Sequence, residues 1–367
     1  MKETKCEFCG AVIQKGGEHV FSEKIMCKSC YNELTEICCE CGERVWRSDM
    51  MTADDSYYCR FCYYERFTSC NECGAEIRLS EAYYFDDNEE YPYCRECYER
   101  LEDRAIHDYD FKPEPIFYGD GAMYMGVELE IDGEGEYNDN AETILNVANK
   151  NCEHIYCKHD GSLDEGFEIV SHPMTLSYHE KDMPWKGIFE KAVSLGYRSH
   201  QTSTCGLHIH VNRSFFGDTY NEQENAIARV VYFVEAHWNE LLRFSRRTEG
   251  SIMRWASRYG IEENTQLTYS KAKKGNMGRY VCVNLQNDST IEFRIFRGTL
   301  RYETFIATLQ LIYEICIRAK ALTDNEFESL SWGDFVLSLD NSKTELIEYL
   351  KQKLLYVNEP IDTKEEL

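Results

Sequence analysis

Long apolar runs are missing from this 367-residue sequence. None approaches the ~20 residues that a bilayer-spanning helix requires. The opening Met1-Lys2-Glu3-Thr4-Lys5-Cys6 has no apolar stretch of the kind a secretory signal needs, so a cytoplasmic protein with no membrane partner is expected. Basic charge is in deficit as well. The chain has 40 Lys and Arg against 65 Asp and Glu, a net charge of −25, and such a surface repels nucleic acid and anionic lipid. Glycine loops that cradle phosphates are absent, with neither a Walker loop nor GxGxxG, so any nucleotide would have to be held by other means. What is present suffices for about two domains at ~100–200 residues each, since 43% of the residues are hydrophobic.

The cysteines are concentrated at one end. Thirteen of the 18 precede residue 100, and twelve of those form six CxxC pairs: Cys6/Cys9, Cys27/Cys30, Cys38/Cys41, Cys59/Cys62, Cys70/Cys73 and Cys94/Cys97. Cys6, Cys38 and Cys70 recur every 32 residues, so the segment is an internal repeat. Each unit opens with CxxCG, and its second pair is followed by Tyr31, Tyr63 or Tyr98. Two residues between cysteines let both sulfurs of one tight turn face one metal, and two such turns complete a four-thiolate zinc site. A unit of this size cannot hold a core unaided, so the metal would supply folding free energy. A disulfide framework is the competing reading, disfavoured in a chain with no sign of secretion. Cys39, beside Cys38, reads as a spectator that could replace its neighbour.

Three structural zincs are therefore expected, in modules resembling zinc ribbons or LIM fingers over residues 1–35, 36–67 and 68–104. Residues 1–100 carry 12 basic against 21 acidic side chains, which speaks against phosphate recognition. A closed four-cysteine site is structural rather than catalytic, so presentation of a protein or peptide partner is the expected role. Residues 105–118, with Pro113 and Pro115 favouring extended chain, read as a linker.

Beyond residue 119 strands alternate with amphipathic helices. Met123–Ile131 places Glu128 and Glu130 on one face and Val127, Leu129 and Ile131 on the other. Gly166–His172 carries Glu168, Gly206–Asn212 carries His208 and His210, and Thr290–Arg297 carries Glu292 and Arg294. A further strand is expected over Tyr280–Gln286. Ala141–Lys150, Trp185–Leu195, Asn225–Arg243 and Tyr302–Ala321 read as helices with apolar core stripes, and 326–367 as a helical extension with an acidic end. One ExE or HxH face can simply point at water. Here every polar face holds Glu, His or Arg, and carboxylates brought together repel one another unless cations lie between them. Mg²⁺ or Mn²⁺ suits such oxygen donors, and Mn²⁺ better tolerates a histidine.

The segments GVELEI, DGSLDEGFEIVSHP, TCGLHIHV and TIEFRIFRGT, in that order, closely resemble the amidoligase family of carboxylate–amine ligases, which is similar in fold to glutamine synthetase and glutamate–cysteine ligase. The resemblance covers roughly residues 120–325. It implies an α+β fold in which helices pack on a curved antiparallel sheet, with a catalytic domain over 119–325. It also implies roles. Glu128 would share one Mg²⁺ or Mn²⁺ with His208 and Glu292, while Glu130 would hold a second with Asp160 and Glu168. His210, Arg294, Arg297 and Arg279, the last from the basic loop Lys271–Arg279, would contact the ATP phosphates, with His210, Arg279 and Arg294 serving the chemistry. The departures are Asp160, which stands where the synthetase pattern has Glu, and the lack of a match to the loop that captures ammonium; the amine substrate would then be larger than ammonia.

The function so implied is an ATP-dependent ligase that joins a carboxylate to an amine through an acyl phosphate, with the ribbons recruiting a protein or peptide substrate. The alternatives are a catalytically inactive ligase-like adaptor and a two-metal hydrolase. Cys205, before the HxH strand, reads as a packed residue rather than a nucleophile, and Asn284 and Ser171 as orienting groups.

Overall fold

The computed structural model describes residues 3–85, 90–102, 104–202, 204–274 and 278–356. The chain divides into two compact units, Met1–Arg104 and Ala105–Leu367.

In the first unit the repeat is built from two kinds of turn. In each CxxCG the glycine adopts a left-handed conformation (Gly10 φ +73°, Gly42 φ +72°, Gly74 φ +72°), and its N–H donates back to the carbonyl of Cys6, Cys38 or Cys70. A side chain there would be strained, which explains the recurrent glycine. The second pair opens a short helix. The thiols of Cys27 and Cys59 cap α1 (Lys28–Leu34) and α2 (Arg60–Tyr64) by accepting the N–H of Cys30 and Cys62, and Cys94 accepts from Cys97 in the same way before α3 (Arg95–Glu102). Little else is buried in this unit. Trp46 of the second module sits edge-on to Phe21 of the first, 4.9 Å between ring centres.

The second unit is a seven-stranded sheet with helices. Its strands are β1 (Ile106–His107), β2 (Met125–Asp132), β3 (Ile155–Lys158), β4 (Gly166–Ser171), β5 (Gly206–Asn212), β6 (Val283–Asn284) and β7 (Thr290–Arg297). The spatial order is β6-β7-β5-β2-β4-β3-β1. All pairs are antiparallel except β1–β3, which is parallel, so the sheet is mixed and the expectation of a purely antiparallel one is corrected. The reason is local: β1 lies within the stretch read as a linker and joins the edge after a long excursion. The apolar faces of the strands share one core with the helices, including Val127, Leu129, Ile131, Phe167, Ile209 and Phe293. There Trp185, Phe189 and Phe305 pack ring on ring.

Three further expectations need correction. The stripe over Asn225–Arg243 is two helices, α4 (Tyr220–Ala236) and α5 (Trp238–Ser245). They part at His237, whose Nε2 bonds the Leu330 carbonyl at 3.0 Å. The strand expected over Tyr280–Gln286 is reduced to Val283–Asn284. The basic loop Lys271–Arg279 is helical over its first part, within α7 (Thr265–Lys274), after α6 (Glu249–Trp255). Lys271 and Lys273 pair there with Glu262 and Glu224; residues 275–277 of that loop lie outside the described residues, as do 357–367 of the C-terminal extension. Among the described residues no helix is long and apolar enough to cross a membrane.

Candidate active site

Register assembles the site. Glu130 of β2 lies opposite Glu168 of β4, and Glu128 opposite His208 of β5. His210 lies opposite Glu292 of β7, which faces Asn284 of β6. Directly paired residues project to the same side, so the polar alternation of separate strands becomes one continuous patch. Between β5 and β7 the register shifts. Gly206 pairs with Arg297 but His210 with Glu292, so one extra residue of β7 is accommodated beside His208. This bulge puts Arg297 on the same face as Glu292 although five positions separate them; strict alternation would have placed it on the opposite face.

The donors meet at short range. His208 Nδ1 is 3.3 Å from Glu128 Oε2 and 3.7 Å from Glu292 Oε1, while its Nε2 is 3.8 Å from Glu130 Oε1. His210 Nε2 is 3.1 Å from Glu128 Oε1. Glu292 is gripped by Arg294 and by the amide of Asn284 at 2.8 Å, and Glu130 accepts the Gly206 N–H. Two overlapping sets, Glu128/His210/Glu292 and Glu128/Glu168/His208, each bring one donor atom per residue within 4.8 Å of the others. Asp160 is fixed by accepting the Ser162 N–H at 2.7 Å. It lines a cavity of about 670 Å³ together with Tyr109, Arg254, Trp255, Arg279 and Tyr280. Arg279 donates to the phenol oxygens of Tyr109 and Tyr280.

The electrostatics are those of crowded carboxylates. Burial opposes ionisation of Glu128, but His210 and His208 outweigh it and hold that carboxyl well below its ordinary range. Burial pushes Glu130 up. Burial and the neighbouring charges of Glu128 and Glu130 push Glu168 far up. Buried acids held in opposite protonation preferences mark a site with too much negative charge for its volume. The oxygen and imidazole donor sets fit a hard divalent cation, which would relieve that repulsion and polarise bound oxygens.

The cysteine clusters pass a stricter geometric test. Sγ–Sγ separations are 3.7 Å for Cys9–Cys27 and 3.9 Å for Cys41–Cys59 and Cys73–Cys94. A tetrahedron with Zn–S bonds of about 2.3 Å has edges of about 3.8 Å. All 18 cysteines are free, so the disulfide framework is set aside. Cys38, buried, belongs to the cluster of the second module; Cys39 is exposed and outside it.

Two site-side residues escaped the sequence reading. Lys158 of β3 lies opposite Glu168 and lowers its carboxyl against the other influences; the alternation of Ile155 and Cys157 with Tyr156 and Lys158 was the available signal. Arg247, in the turn between α5 and α6, bonds the Phe296 carbonyl at 3.1 Å and Ser251 Oγ at 3.3 Å. Burial draws it down to about 10, with Glu130 opposing and Arg294 and Arg297 adding to the fall. No local pattern marks it, because it sits beside Arg246 in a short turn between two helices. Cys205, buried, is pushed up by burial to about 12, which suits a packed residue.

Residues 146–316 match the family described as "Putative amidoligase enzyme". Among solved structures, the complex between the prokaryotic ubiquitin-like protein Pup and its ligase PafA is similar at 8% identity and a TM-score of 0.29, over 65% of this chain and 59% of that one. The chain thus spans less than two thirds of that ligase's length. No curated protein matches it.

Proposed function

We propose that the second unit, which matches the amidoligase family over residues 146–316, makes this protein a C–N bond-forming ligase that couples a carboxylate to an amine at the expense of ATP, through an acyl phosphate. One observation carries the reading: Glu128, Glu292, His208 and His210 arrive from three adjacent strands and meet within 3.1–3.7 Å on one face. A carboxylate is a poor electrophile. Its oxygen attacks the γ-phosphorus and the bond to the departing ADP breaks. The amine then adds to the acyl carbon, the C–O bond to phosphate breaks, and the nitrogen sheds a proton.

When bound, two divalent cations would spread the charge of the phosphoryl in flight. Glu128, His208 and Glu292 are assigned to one, and Glu130, Asp160 and Glu168 to the other. The chain's own part is positioning. His210, leaning on Glu128, and Arg294, anchored on Glu292, present N–H groups toward the phosphates, and Arg297 joins them through the β7 bulge. Arg279 is held by two phenols at the cavity rim, where it would meet the nucleotide or the second substrate. Residues 1–35, 36–67 and 68–104 act as zinc-bound modules that bring a protein or peptide substrate to the domain at 119–325. Exposed Val20, Phe61 and Tyr64 offer apolar contacts for that task.

The test is ADP release by the zinc-loaded chain with Mg²⁺ and ATP, with panels of carboxylates and amines added singly and together. ADP formation that requires both supports the ligase. Phosphate release indifferent to any amine would favour the two-metal hydrolase, and no turnover under any combination the inactive adaptor.

A further inference from the structure

Arg247 is a buried cation without a counter-ion. It is 9% exposed, and among the described residues no carboxylate lies within ion-pairing distance of it. Two of its nitrogens are spent on neutral acceptors, the Phe296 carbonyl and Ser251 Oγ, and its Nε meets no hydrogen-bond partner at all. The nearby Arg294 repeats the pattern: one nitrogen grips Glu292, while its Nε is buried and unpartnered. Glu130, the closest acid influence on Arg247, is engaged elsewhere by the Gly206 N–H. Burying a charge without a partner is expensive, and so is leaving a guanidinium donor unmade. Both guanidiniums adjoin the metal-ligand patch, Arg247 beside His208 and Arg294 on Glu292, and two such donors there make an oxyanion receptacle.

The backbone makes room for it. A Cβ on Gly206 would lie 2.7 Å from Arg247 Nη2 and 2.7 Å from His208 Nε2, so the glycine lets the guanidinium lie against the imidazole at the floor of the metal-ligand patch. The two straps to Phe296 and Ser251 fix the fork in place before any ligand arrives, which is the preorganisation that transition-state charge stabilisation requires.

We infer that Arg247, together with Arg294, holds the oxygen of the reacting carboxylate, and of the acyl phosphate it becomes, at the Glu130 end of the site. The assignment rests on the ligase reading but is separable from it by experiment. A purely structural Arg247, tying the α5–α6 turn to the β7 edge, would have no use for a buried Nε left without a partner.

The test uses the full zinc-loaded chain without added Mg²⁺ or ATP. Inorganic phosphate and acetate are titrated separately, with binding read by calorimetry and by the shift in melting midpoint. The parent should bind phosphate, and Arg247→Met should weaken it at least about tenfold. Arg247→Lys keeps the charge but not the fork, so it should fall in between; it also serves if the methionine variant does not fold. Arg301→Met, at an exposed side chain paired with Glu303, should bind like the parent. If acetate competes and is lost in the same variants, the carboxylate is the anion recognised; if phosphate alone responds, the phosphoryl is. Phosphate affinity equal in Arg247→Met and parent, or no binding of either anion to the parent, would overturn the assignment. Arg247-dependent binding in a protein that never turns over ATP would instead sink the ligase reading and leave the anion site standing.

Discussion

On the proposed reading the two units would use metal in opposite ways. In the first, the apolar clusters are tiny: around the second module only Ala53, Tyr58 and Phe67 are buried beside Cys38 and Cys62. Such a module cannot offset its chain entropy by burial alone, so the fold would depend on the metal. In the second, a single core runs from Ala105 to Leu355, and seven strands hold the acids and imidazoles in place whatever binds them. There the metal depends on the fold. A structural site is closed and satisfied by four like ligands, whereas a working site is left over-charged and under-bonded, as the buried Glu130, Glu168 and Arg247 and the half-buried Arg294 are.

The largest effect expected from this contrast is on the zinc side. Cys38→Ser should remove one of three metals and unfold its module, because a structural zinc site carries roughly 10 kcal/mol of apparent folding free energy. Zinc content by metal analysis should drop by one third, while the melting transition of the second unit stays in place. Loss of both transitions would break the comparison. Next comes Glu292→Ala, which should cut ADP release by about a thousandfold or more, ~4 kcal/mol of transition-state stabilisation, with zinc content unchanged. Turnover equal to the parent would remove Glu292 from the site.

A smaller effect concerns His179, wholly buried beneath the sheet. Trp185 donates to its Nδ1 at 3.2 Å, so its Nε2–H must be the group that bonds the Met125 carbonyl at 3.0 Å. A proton on Nδ1 would face the indole N–H, and burial lowers this imidazole from 6.5 to about 4. Between those two values the unfolded chain holds more protons than the folded one, so stability rises with pH through that window. It is full above 6.5 and is lost progressively as pH falls toward 4. The loss amounts to roughly 3 kcal/mol. His179→Gln can reproduce both bonds with an uncharged amide. Urea unfolding of the two proteins across this range should therefore diverge at low pH and converge at neutral pH; parallel curves would refute the account.

The sequence makes some of this legible and conceals the rest for physical reasons. The zinc repeat is readable because ligand and spacing are both local: CxxCG writes the knuckle and its left-handed glycine into five residues. The strands bearing ExE and HxH are readable because alternation is a short-range signal, and β5 and β7 fall where it places them. What local pattern cannot show is partnership. The β7 bulge turns Arg297 to the site only through pairing with β5, and Arg247 reaches the patch from an inter-helix turn whose composition resembles any solvated surface. The break at His237 is likewise set by a distant carbonyl, that of Leu330, and not by a breaker residue. The charged helix turn of Lys271 and Lys273 looked like a phosphate loop because their acid partners, Glu262 and Glu224, are distant in sequence or out of phase.

The smallest expected effect tests the closed character of the zinc sites most sharply. Cys38 and Cys39 are chemically identical and adjacent, so sequence leaves either as the ligand. In the fold they diverge completely. Cys38 lies in the cluster with Cys41, Cys59 and Cys62, and its backbone accepts the Gly42 N–H at 3.0 Å. Cys39 is exposed; its backbone N–H is donated to the Tyr57 carbonyl at 2.9 Å, and its thiol lies beside the Tyr58 phenol. Burial pushes the Cys38 thiol up, but the backbone N–H groups of Cys41 and Cys59 outweigh it and bring it down to about 6; this favours the thiolate that zinc requires. Cys39→Ser keeps the backbone bond and removes only an exposed sulfur. Zinc content should be that of the parent and stability should change by less than about 0.5 kcal/mol. If Cys39→Ser instead lost metal while Cys38→Ser retained it, the ligand would be the exposed cysteine, and the second module would be held by an open site rather than a sealed one.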